Sequence, residues 1–290
     1  MRAVVIGTGY VAAAYLRALH FLGVHPLVIS RHWVDYYNID AMRLILKAYK
    51  PDVVINAAGY SGETVDDCQQ TDERGEFYRS LVVLPRNLSL LTSDLNQRLI
   101  HISSGCVFNG NYPFAESDKP NFTGNFYQTC KLSAERDIID SGCQSWIFRI
   151  RMPFSWHRHS RNWLTKLANH DKILEGLNSI TFLDEFCMRS IQLIDKAPEG
   201  TYHAAYQIPV RTLDVVRMLT EAGIRKKTTI LYDPKEFLKE HVKRSEAILD
   251  CSKFEKAYGA AFGDPLVALA WCITNYGGVG PIGRPPASLM

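Results

Sequence analysis

The sequence predicts an α/β fold in which a doubly wound parallel sheet is followed by a smaller C-terminal lobe. In the first half, short apolar runs alternate with segments of helical periodicity, and each run is apolar throughout rather than at every second residue. Continuously apolar strands are typical of parallel sheets that helices cover on both faces. Alternation of strand and helix indicates crossover connections, and hence a doubly wound sheet.

The predicted elements follow one another at regular intervals over residues 1–150. Strands are expected at residues 3–6, 26–29, 51–56, 98–102 and 145–150. Helices are expected at residues 11–22, 42–49, 77–91 and 127–139. Beyond residue 150 the pattern is irregular, with further helices expected at 213–221 and 234–241. We therefore expect a first domain over residues 1–150, which a strand and helix near 184–206 rejoin, and a smaller lobe formed mainly by residues 151–290.

Composition excludes several classes of function. The 290 residues are 47% hydrophobic and carry a net charge of +3, which is ordinary for a globular protein and too weak for the basic stripe of a nucleic-acid binder. No apolar run reaches the roughly 18 residues of a membrane span. The seven cysteines show no pair at zinc-ligand spacing. We expect no nucleic-acid, membrane or metal partner, and reduced thiols in a cytoplasmic protein.

A glycine-rich motif, Gly7-Thr8-Gly9-Tyr10-Val11-Ala12, lies between the first predicted strand and helix. It matches the pattern G-x-G-x-x-G/A in its alanine form. The first glycine permits a tight turn, the second lets the backbone approach a pyrophosphate, and the small third residue packs helix against strand. Free N–H groups at the helix start then bind the pyrophosphate. The motif predicts a dinucleotide site of the Rossmann type, the alternative being a purely structural turn.

The ends of the second and third strands indicate which dinucleotide binds. Ser30-Arg31 stands where an enzyme specific for NAD carries an acid, and a guanidinium suits a 2′-phosphate. This favours NADP(H), the alternative being that Arg31 points into water while Asp35 binds the ribose. Asn56-Ala57-Ala58-Gly59 closes the third strand with small residues. They allow the chain to pass close to the cofactor, and they suit a tight turn equally well.

A tyrosine and a lysine four residues apart, Tyr127 and Lys131, fall on one face of a predicted helix. A nearby cation lowers the pKa of a phenol from about 10 toward working pH. Such a phenol can donate a proton to a carbonyl oxygen as hydride reaches the carbon. Ser103-Ser104 follows the fourth strand, at the sheet edge where ligands bind, and its hydroxyl can bond the same oxygen. The alternative is a solvated surface pair.

Taken together, these motifs resemble those of the extended short-chain dehydrogenase/reductases. His101–Gly110 and Pro113–Glu116 are similar to the nucleotide-sugar 4-reductases that make deoxysugars. Three later stretches resemble the bifunctional 3,5-epimerase/4-keto-reductases that complete UDP-L-rhamnose: Arg149–Pro153, Arg161–Lys166 and Asn178–Glu185. The resemblance covers most of residues 1–205. It departs at Ser80, where the family tends to carry asparagine, and at Thr71–Glu76, which is one residue longer.

The resemblance implies a role for each matching residue. The reductase triad would consist of Ser104, Tyr127 and Lys131. Cys106 would be one acid/base of the epimerase, and a lysine of the second lobe would be the other. Lys172 is the best match for that lysine, with His170 and Lys166 as alternatives. Inverting a centre beside a ketone needs one group to remove a proton and another to return it from the opposite face.

The overall hypothesis is NADPH-dependent conversion of UDP-4-keto-6-deoxyglucose to UDP-L-rhamnose by a homodimer. The nucleotide diphosphate or sugar would be bound by Arg151, Arg161 and Asn162, unless these provide only ordinary surface polarity. A dTDP-linked substrate is also possible. A simple 4-keto-reductase without epimerisation and a non-catalytic cofactor-binding subunit are the alternatives. A 4,6-dehydratase is disfavoured, because that chemistry needs an acid pair after the serine, where Gly105-Cys106 stands.

Overall fold

The computed structural model describes residues 1–59, 66–67, 74–122 and 124–278. Its strands are β1 (Ala3–Ile6), β2 (Leu27–Ile29), β3 (Val53–Asn56), β4 (Arg98–Ser104), β5 (Gly110–Phe114), β6 (Ser145–Ile150), β7 (Pro153–Phe154), β8 (Lys172–Ile173), β9 (Leu177–Asn178), β10 (Thr181–Phe182), β11 (Gly200–His203), β12 (Val210–Arg211), β13 (Ile230–Leu231) and β14 (Ala247–Leu249). Its helices are α1 (Tyr10–Phe21), α2 (Ile39–Tyr49), α3 (Arg74–Tyr78), α4 (Leu84–Asp94), α5 (Phe126–Asp140), α6 (Trp163–Asn169), α7 (Leu183–Leu193), α8 (Thr212–Glu221), α9 (Pro234–Glu240), α10 (Ser252–Tyr258) and α11 (Pro265–Thr274). Within these ranges, no helix is both long enough and apolar enough to cross a bilayer.

The central sheet has the strand order β2-β1-β3-β4-β6-β11, and its strands are all parallel. The predicted fold class is therefore confirmed. The chain moves outward in one direction from β1 to β2 and in the other from β3 onward. The carboxyl ends of β1 and β3 thus border a crevice at the point where the winding reverses, which is where open α/β sheets bind ligands.

Helices cover the sheet on both faces. On one face α1 packs against α7, with Tyr15 and Phe186 buried between helices and sheet. On the other face Met42 of α2, Leu88 of α4 and Ile138 of α5 join one buried apolar cluster. This two-sided burial explains why the strands are apolar throughout, since neither face of the sheet meets water.

Both halves of the sequence contribute to each part of the fold. Beyond residue 150, β11 extends the central sheet beside β6, with Tyr202 opposite Phe148. Conversely, β5 from the first half pairs with β14 near the C-terminus. The short pairs β7–β10, β8–β13 and β9–β12 lie in the irregular second half. Chain segments from the two halves therefore meet at the carboxyl edge of the sheet.

The helix predicted over residues 77–91 is in fact interrupted by a π-helical turn. This turn, Arg79–Val83, joins α3 to α4 and contains Ser80, whose hydroxyl donates to the Phe77 carbonyl at 3.2 Å. A π turn accommodates one residue more than an α turn. The turn comes shortly after Thr71–Glu76, the stretch that is one residue longer than in the family that the sequence resembles. Residues 71–73 of that stretch lie outside the described residues.

Candidate active site

The glycine motif forms a tight turn between β1 and α1. Gly7 has a φ of +104°, and a Cβ built on it would lie 3.0 Å from the backbone of Ala58, so the turn packs directly on the end of β3. Gly9 precedes α1 and has open space where a Cβ would stand. No side chain of the described residues caps the first N–H groups of α1. Uncapped N–H groups and an open approach at a helix start are the features that bind a phosphate group.

A cluster of polar side chains, the Glu76 cluster, joins Arg31 and Tyr37 from the segment after β2 to Glu76 of α3 and Arg79 of the π turn. Glu76 lies 3.9 Å from Arg31 and 3.8 Å from Arg79, and it accepts a hydrogen bond from the Tyr37 hydroxyl at 2.9 Å. Two guanidinium groups thus flank one carboxylate, and the Arg31 side chain is 49% exposed. Guanidinium groups suit a phosphate both by charge and by their paired N–H donors.

Arg31 and Asp35 were the alternatives for binding the ribose end of the cofactor, and they lie in different surroundings. Arg31 belongs to the Glu76 cluster. Asp35 accepts the N–H of Tyr37 at 3.0 Å in a local turn. Ser30 accepts the N–H groups of Trp33 and Val34 through its carbonyl. Arg79 was not predicted, because nothing in its local sequence pattern distinguishes it from a surface arginine on a helix.

Tyr127 and Lys131 lie on one face of α5, which begins beside the end of β4. The Lys131 side chain is buried, its Nζ donates to the carbonyl of Ile102 at 2.8 Å, and it lies 6.0 Å from the centre of the Tyr127 ring. Ser104 ends β4, and its hydroxyl accepts the N–H of Cys106 at 3.1 Å. All three residues of the proposed triad therefore come from β4 and the first turns of α5.

Burial changes the pKa of Lys131. It lowers the pKa of the ammonium to about 8, while Glu135, one turn further along α5, opposes the shift. A lysine with a pKa near 8 changes protonation close to neutral pH, so its charge can follow that of a neighbouring phenol.

A buried ionic network, here the Glu135 network, lies behind Lys131. Glu135 accepts hydrogen bonds from the Ser103 hydroxyl and from both Nε (3.0 Å) and a terminal nitrogen (2.6 Å) of Arg149. His203 lies 3.3 Å from Arg149, and burial together with that guanidinium lowers the pKa of His203 to about 3. Register places Ser103 opposite Arg149. Ser103 is thereby committed to structure, which separates it from Ser104.

Cys106 lies in a 3₁₀ turn, Gly105–Val107, directly after β4. It is partly exposed, and a terminal nitrogen of Arg151 donates to its sulphur at 3.2 Å. Arg151 itself is 1% exposed. The structure thus brings together one predicted epimerase residue and one predicted substrate ligand, in direct contact with each other.

The candidates for the second acid/base lie in different surroundings. The Lys172 side chain is 49% exposed, with its Nζ 3.8 Å from Glu240 and 4.8 Å from the centre of the Tyr232 ring. His170 is exposed as well. Lys166 on α6 is only partly exposed, and burial lowers its pKa.

Charged residues near Lys166 include one, Arg244, that lies next in sequence to a partner of Arg151. Arg161 and Arg244 lower the pKa of Lys166 further, after the effect of burial, while Asp67 opposes them. Arg244 directly precedes Ser245, and Ser245 accepts a hydrogen bond from the same Arg151 that contacts Cys106. Lys166 therefore feels the charge of Arg244, which lies next in sequence to a residue that shares Arg151 with the thiol.

The loop that contains Arg161 and Asn162 reaches back to the glycine turn. Asn162 is fully buried, donates to the carbonyls of Ser155 (2.6 Å) and His157 (2.7 Å), and accepts the N–H of Leu164 at the start of α6. Its polar atoms are thus committed within the loop. The ring of His159, a residue the sequence patterns did not single out, stacks on that of Tyr10 with centroids 4.9 Å apart.

The fold and the glycine turn define a protein with the short-chain dehydrogenase/reductase architecture. More narrowly, the chain belongs to the family of the RmlD substrate binding domain, whose model matches residues 1–276. The family resemblance predicted from the motifs is confirmed.

Among curated proteins, a plant enzyme is similar to part of this chain. A bifunctional dTDP-4-dehydrorhamnose 3,5-epimerase/dTDP-4-dehydrorhamnose reductase of Arabidopsis thaliana is 32% identical over 168 residues, 54% of this chain and 55% of that protein. The match therefore spans about half of that relative.

Two solved structures share the fold. A UDP-rhamnose synthase from Acanthamoeba polyphaga mimivirus has a TM-score of 0.85 at 22% identity, over 95% of this chain and 99% of that one. A Bacillus anthracis dTDP-4-dehydrorhamnose reductase in complex with NADP has a TM-score of 0.79 at 17% identity, over 95% and 98%.

Proposed function

We propose that this protein is an NADPH-dependent nucleotide-sugar 4-keto-reductase that also epimerises C3 and C5, converting UDP-4-keto-6-deoxyglucose to UDP-L-rhamnose. One observation carries the proposal. A serine hydroxyl and a partly exposed thiol come from the end of β4 and the turn after it, and the adjoining helix α5 carries a buried lysine beside a tyrosine ring. The named activities of the plant and viral relatives are consistent with it.

The cofactor site would be formed by three predicted segments. The pyrophosphate would lie on the start of α1, beside Gly7-Thr8-Gly9-Tyr10-Val11, and the 2′-phosphate near Ser30 and Arg31. Asn56-Ala57-Ala58-Gly59 would border the ribose rings. The open space at Gly9 and the two guanidinium groups of the Glu76 cluster support NADP(H) as the ligand. When bound, this cofactor supplies the hydride that reduces C4.

Reduction also needs a proton for the C4 oxygen. Ser104 would orient that oxygen with its hydroxyl, and Tyr127 would donate the proton. Lys131 is held by the Ile102 carbonyl at 2.8 Å, so its ammonium would stay close to the phenol and stabilise the phenolate that the transfer leaves. Such positioned proton transfer contributes roughly 10²–10⁴-fold to a rate.

Epimerisation uses the acidity that the 4-keto group gives to the hydrogens on C3 and C5. Cys106 and a lysine would exchange protons with these carbons from opposite faces. We favour Lys166 over Lys172 and His170 as that second group, because it is partly buried and its pKa is lowered by burial and by the charges of Arg161 and Arg244, whereas Lys172 is half exposed. Arg161, close to Lys166, is retained as a proposed ligand of the substrate diphosphate.

The test is turnover with defined substrates. Purified protein, NADPH and UDP-4-keto-6-deoxyglucose should give loss of reduced-nicotinamide absorbance and UDP-L-rhamnose as product, with the dTDP-linked sugar a poorer substrate. Cys106→Ala should abolish this turnover, yet still reduce the pre-epimerised 4-keto-L-sugar nucleotide. Unchanged turnover by Cys106→Ala would indicate a simple 4-keto-reductase. No NADPH oxidation at any enzyme level would leave only a cofactor-binding subunit.

A homodimer formed through the helices that flank the sheet is part of the same proposal. Helices α4 and α5 pack side by side, and they carry the exposed apolar residues Leu90 and Ile139. Light scattering on the purified protein measures the mass directly. A mass of a single chain at micromolar concentration would contradict the dimer.

A further inference from the structure

Arg151 is placed where the sheet meets the second half of the chain. It follows β6 immediately, its side chain is buried, and its guanidinium reaches Asn178 on β9 and Ser245 just before β14. These partners are 27 and 94 residues away in sequence. The third residue that the guanidinium contacts is Cys106.

Each N–H of the Arg151 guanidinium has a partner. The Nε donates to the Asn178 side-chain oxygen at 3.1 Å. One terminal nitrogen donates to that same oxygen and to the Ser245 carbonyl at 2.6 Å. The other donates to the Ser245 hydroxyl at 3.0 Å and to the Cys106 sulphur at 3.2 Å. A guanidinium has five N–H donors, so this set leaves none for a phosphate.

The Arg151 guanidinium is hydrogen-bonded to no carboxylate of the described residues, and Glu246 acts on its charge without a hydrogen bond. Besides the thiol, the partners of the guanidinium are an amide oxygen, a hydroxyl and a carbonyl, all neutral. A buried cation without an anion is costly. Burial lowers the pKa of Arg151, and the nearby Cys106 and Glu246 oppose that shift. Of the four hydrogen-bonded partner atoms, only the sulphur belongs to an acidic group.

We propose that Arg151 is a positioning residue that holds Cys106 as a thiolate in the resting protein, instead of binding the substrate diphosphate. The inference rests on the proposed epimerase function, because it decides which way the protons move. The thiolate takes the proton from C3 or C5, so that an S–H bond forms, the C–H bond breaks, and its electron pair passes into the enolate of the 4-keto group. The second group, Lys166 in our proposal, then donates its proton to the carbon from the opposite face.

The other described cysteines provide an internal reference. Burial raises the pKa of Cys130 to about 11, and it raises those of Cys187, Cys251 and Cys272 as well. Thiolates rather than thiols react with alkylating agents. Peptide mapping by mass spectrometry assigns each alkylation rate to its own cysteine, whatever the behaviour of the others.

The primary experiment measures how fast iodoacetamide alkylates Cys106 at pH 7 in the wild type, Arg151→Met and Arg151→Lys. Loss of a charge-assisted hydrogen bond predicts that Arg151→Met slows the reaction about tenfold or more. Arg151→Lys should recover part of the rate, since it keeps the charge. Equal rates in all three folded proteins would overturn the inference.

A second measurement needs no change at Arg151, in case that buried position does not tolerate one. The thiolate absorbs in the ultraviolet, so the difference spectrum between wild type and Cys106→Ser at pH 7 reports whether the resting sulphur is charged. A thiolate band at Cys106 is expected. Its absence in the folded wild type would also overturn the inference.

Binding of UDP separates this inference from the earlier prediction for Arg151. We expect UDP to bind Arg151→Met as tightly as the wild type. UDP binding weakened about tenfold or more with an unchanged alkylation rate would make Arg151 a diphosphate ligand. An alkylation rate that depends on Arg151, combined with full epimerisation by Cys106→Ala, would refute the proposed epimerase role while leaving the thiolate intact.

Discussion

Two buried arginines stand two residues apart at the end of β6, and their surroundings differ in one respect. Arg149 is paired with the carboxylate of Glu135 through several hydrogen bonds. Arg151 is bonded to neutral groups and to a thiol. The first cation is neutralised and fixes the structure behind Lys131, whereas the second donates a hydrogen bond to the Cys106 thiol. Two arginines at the end of one strand are thus proposed to support different chemical steps, one through an ion pair and the other through a thiol.

The largest effect is expected from breaking the neutralised pair. Glu135→Gln leaves Arg149 buried without its anion, which should lower the free energy of unfolding by about 3–5 kcal/mol. Denaturant unfolding measures it. Asp214→Asn is the matched control, because it removes an exposed carboxylate 4.0 Å from Arg217 and should change stability by less than about 1 kcal/mol. Similar small losses in both variants would show that Arg149 does not depend on Glu135.

The sequence predicts elements that depend on neighbouring residues, but it does not predict contacts between residues that are far apart in the chain. The glycine turn, strand β6 and helix α5 were predicted within a residue or two, because each rests on a local pattern. The partners of Arg151 were not, since they come from β9, from the segment before β14 and from the turn after β4. The sequence suggested a phosphate ligand because a guanidinium suits phosphate; which donors are already used depends on long-range packing.

Neither the π turn nor the pairing of β5 with β14 was predicted, because local sequence patterns do not signal either of them. A π turn differs from an α turn by one residue, which periodicity over a short helix does not resolve. The pairing joins Gly110 to Ala247, segments that share no local signal. The Glu135 network was also missed, because its members look like ordinary polar residues of a strand and a helix until register brings them together.

The Glu76 cluster extends the comparison to the surface, where two cations share one carboxylate. Arg31→Ala should weaken NADPH binding by about tenfold or more, since it removes a partner of the 2′-phosphate, and should leave NADH binding nearly unchanged. Fluorescence titration with each nucleotide measures both. Arg43→Ala is the control, because Arg43 is paired with Asp94 at 2.9 Å elsewhere on the surface. An equal loss for both nucleotides would place the 2′-phosphate elsewhere.

A smaller effect is expected from the pH dependence of stability at Lys131. Its pKa is about 8 in the folded protein and about 10.5 unfolded, so the unfolded chain binds more protons between these values. The free energy of unfolding should therefore rise with pH above about 8, by about 1 kcal/mol per pH unit. Lys131→Met removes this titration. Parallel stability curves for variant and wild type from pH 8 to 9.5 would argue against the lowered pKa.

The proposed function requires that reduction at Tyr127 and proton exchange at Cys106 be separable steps. Incubating Tyr127→Phe with NADPH and UDP-4-keto-6-deoxyglucose in deuterated water tests it most directly. We predict deuterium at C3 and C5 of the recovered sugar, while NADPH oxidation is lost and NADPH still binds. Undiminished NADPH oxidation, or a recovered sugar without deuterium at either carbon, would contradict the claim.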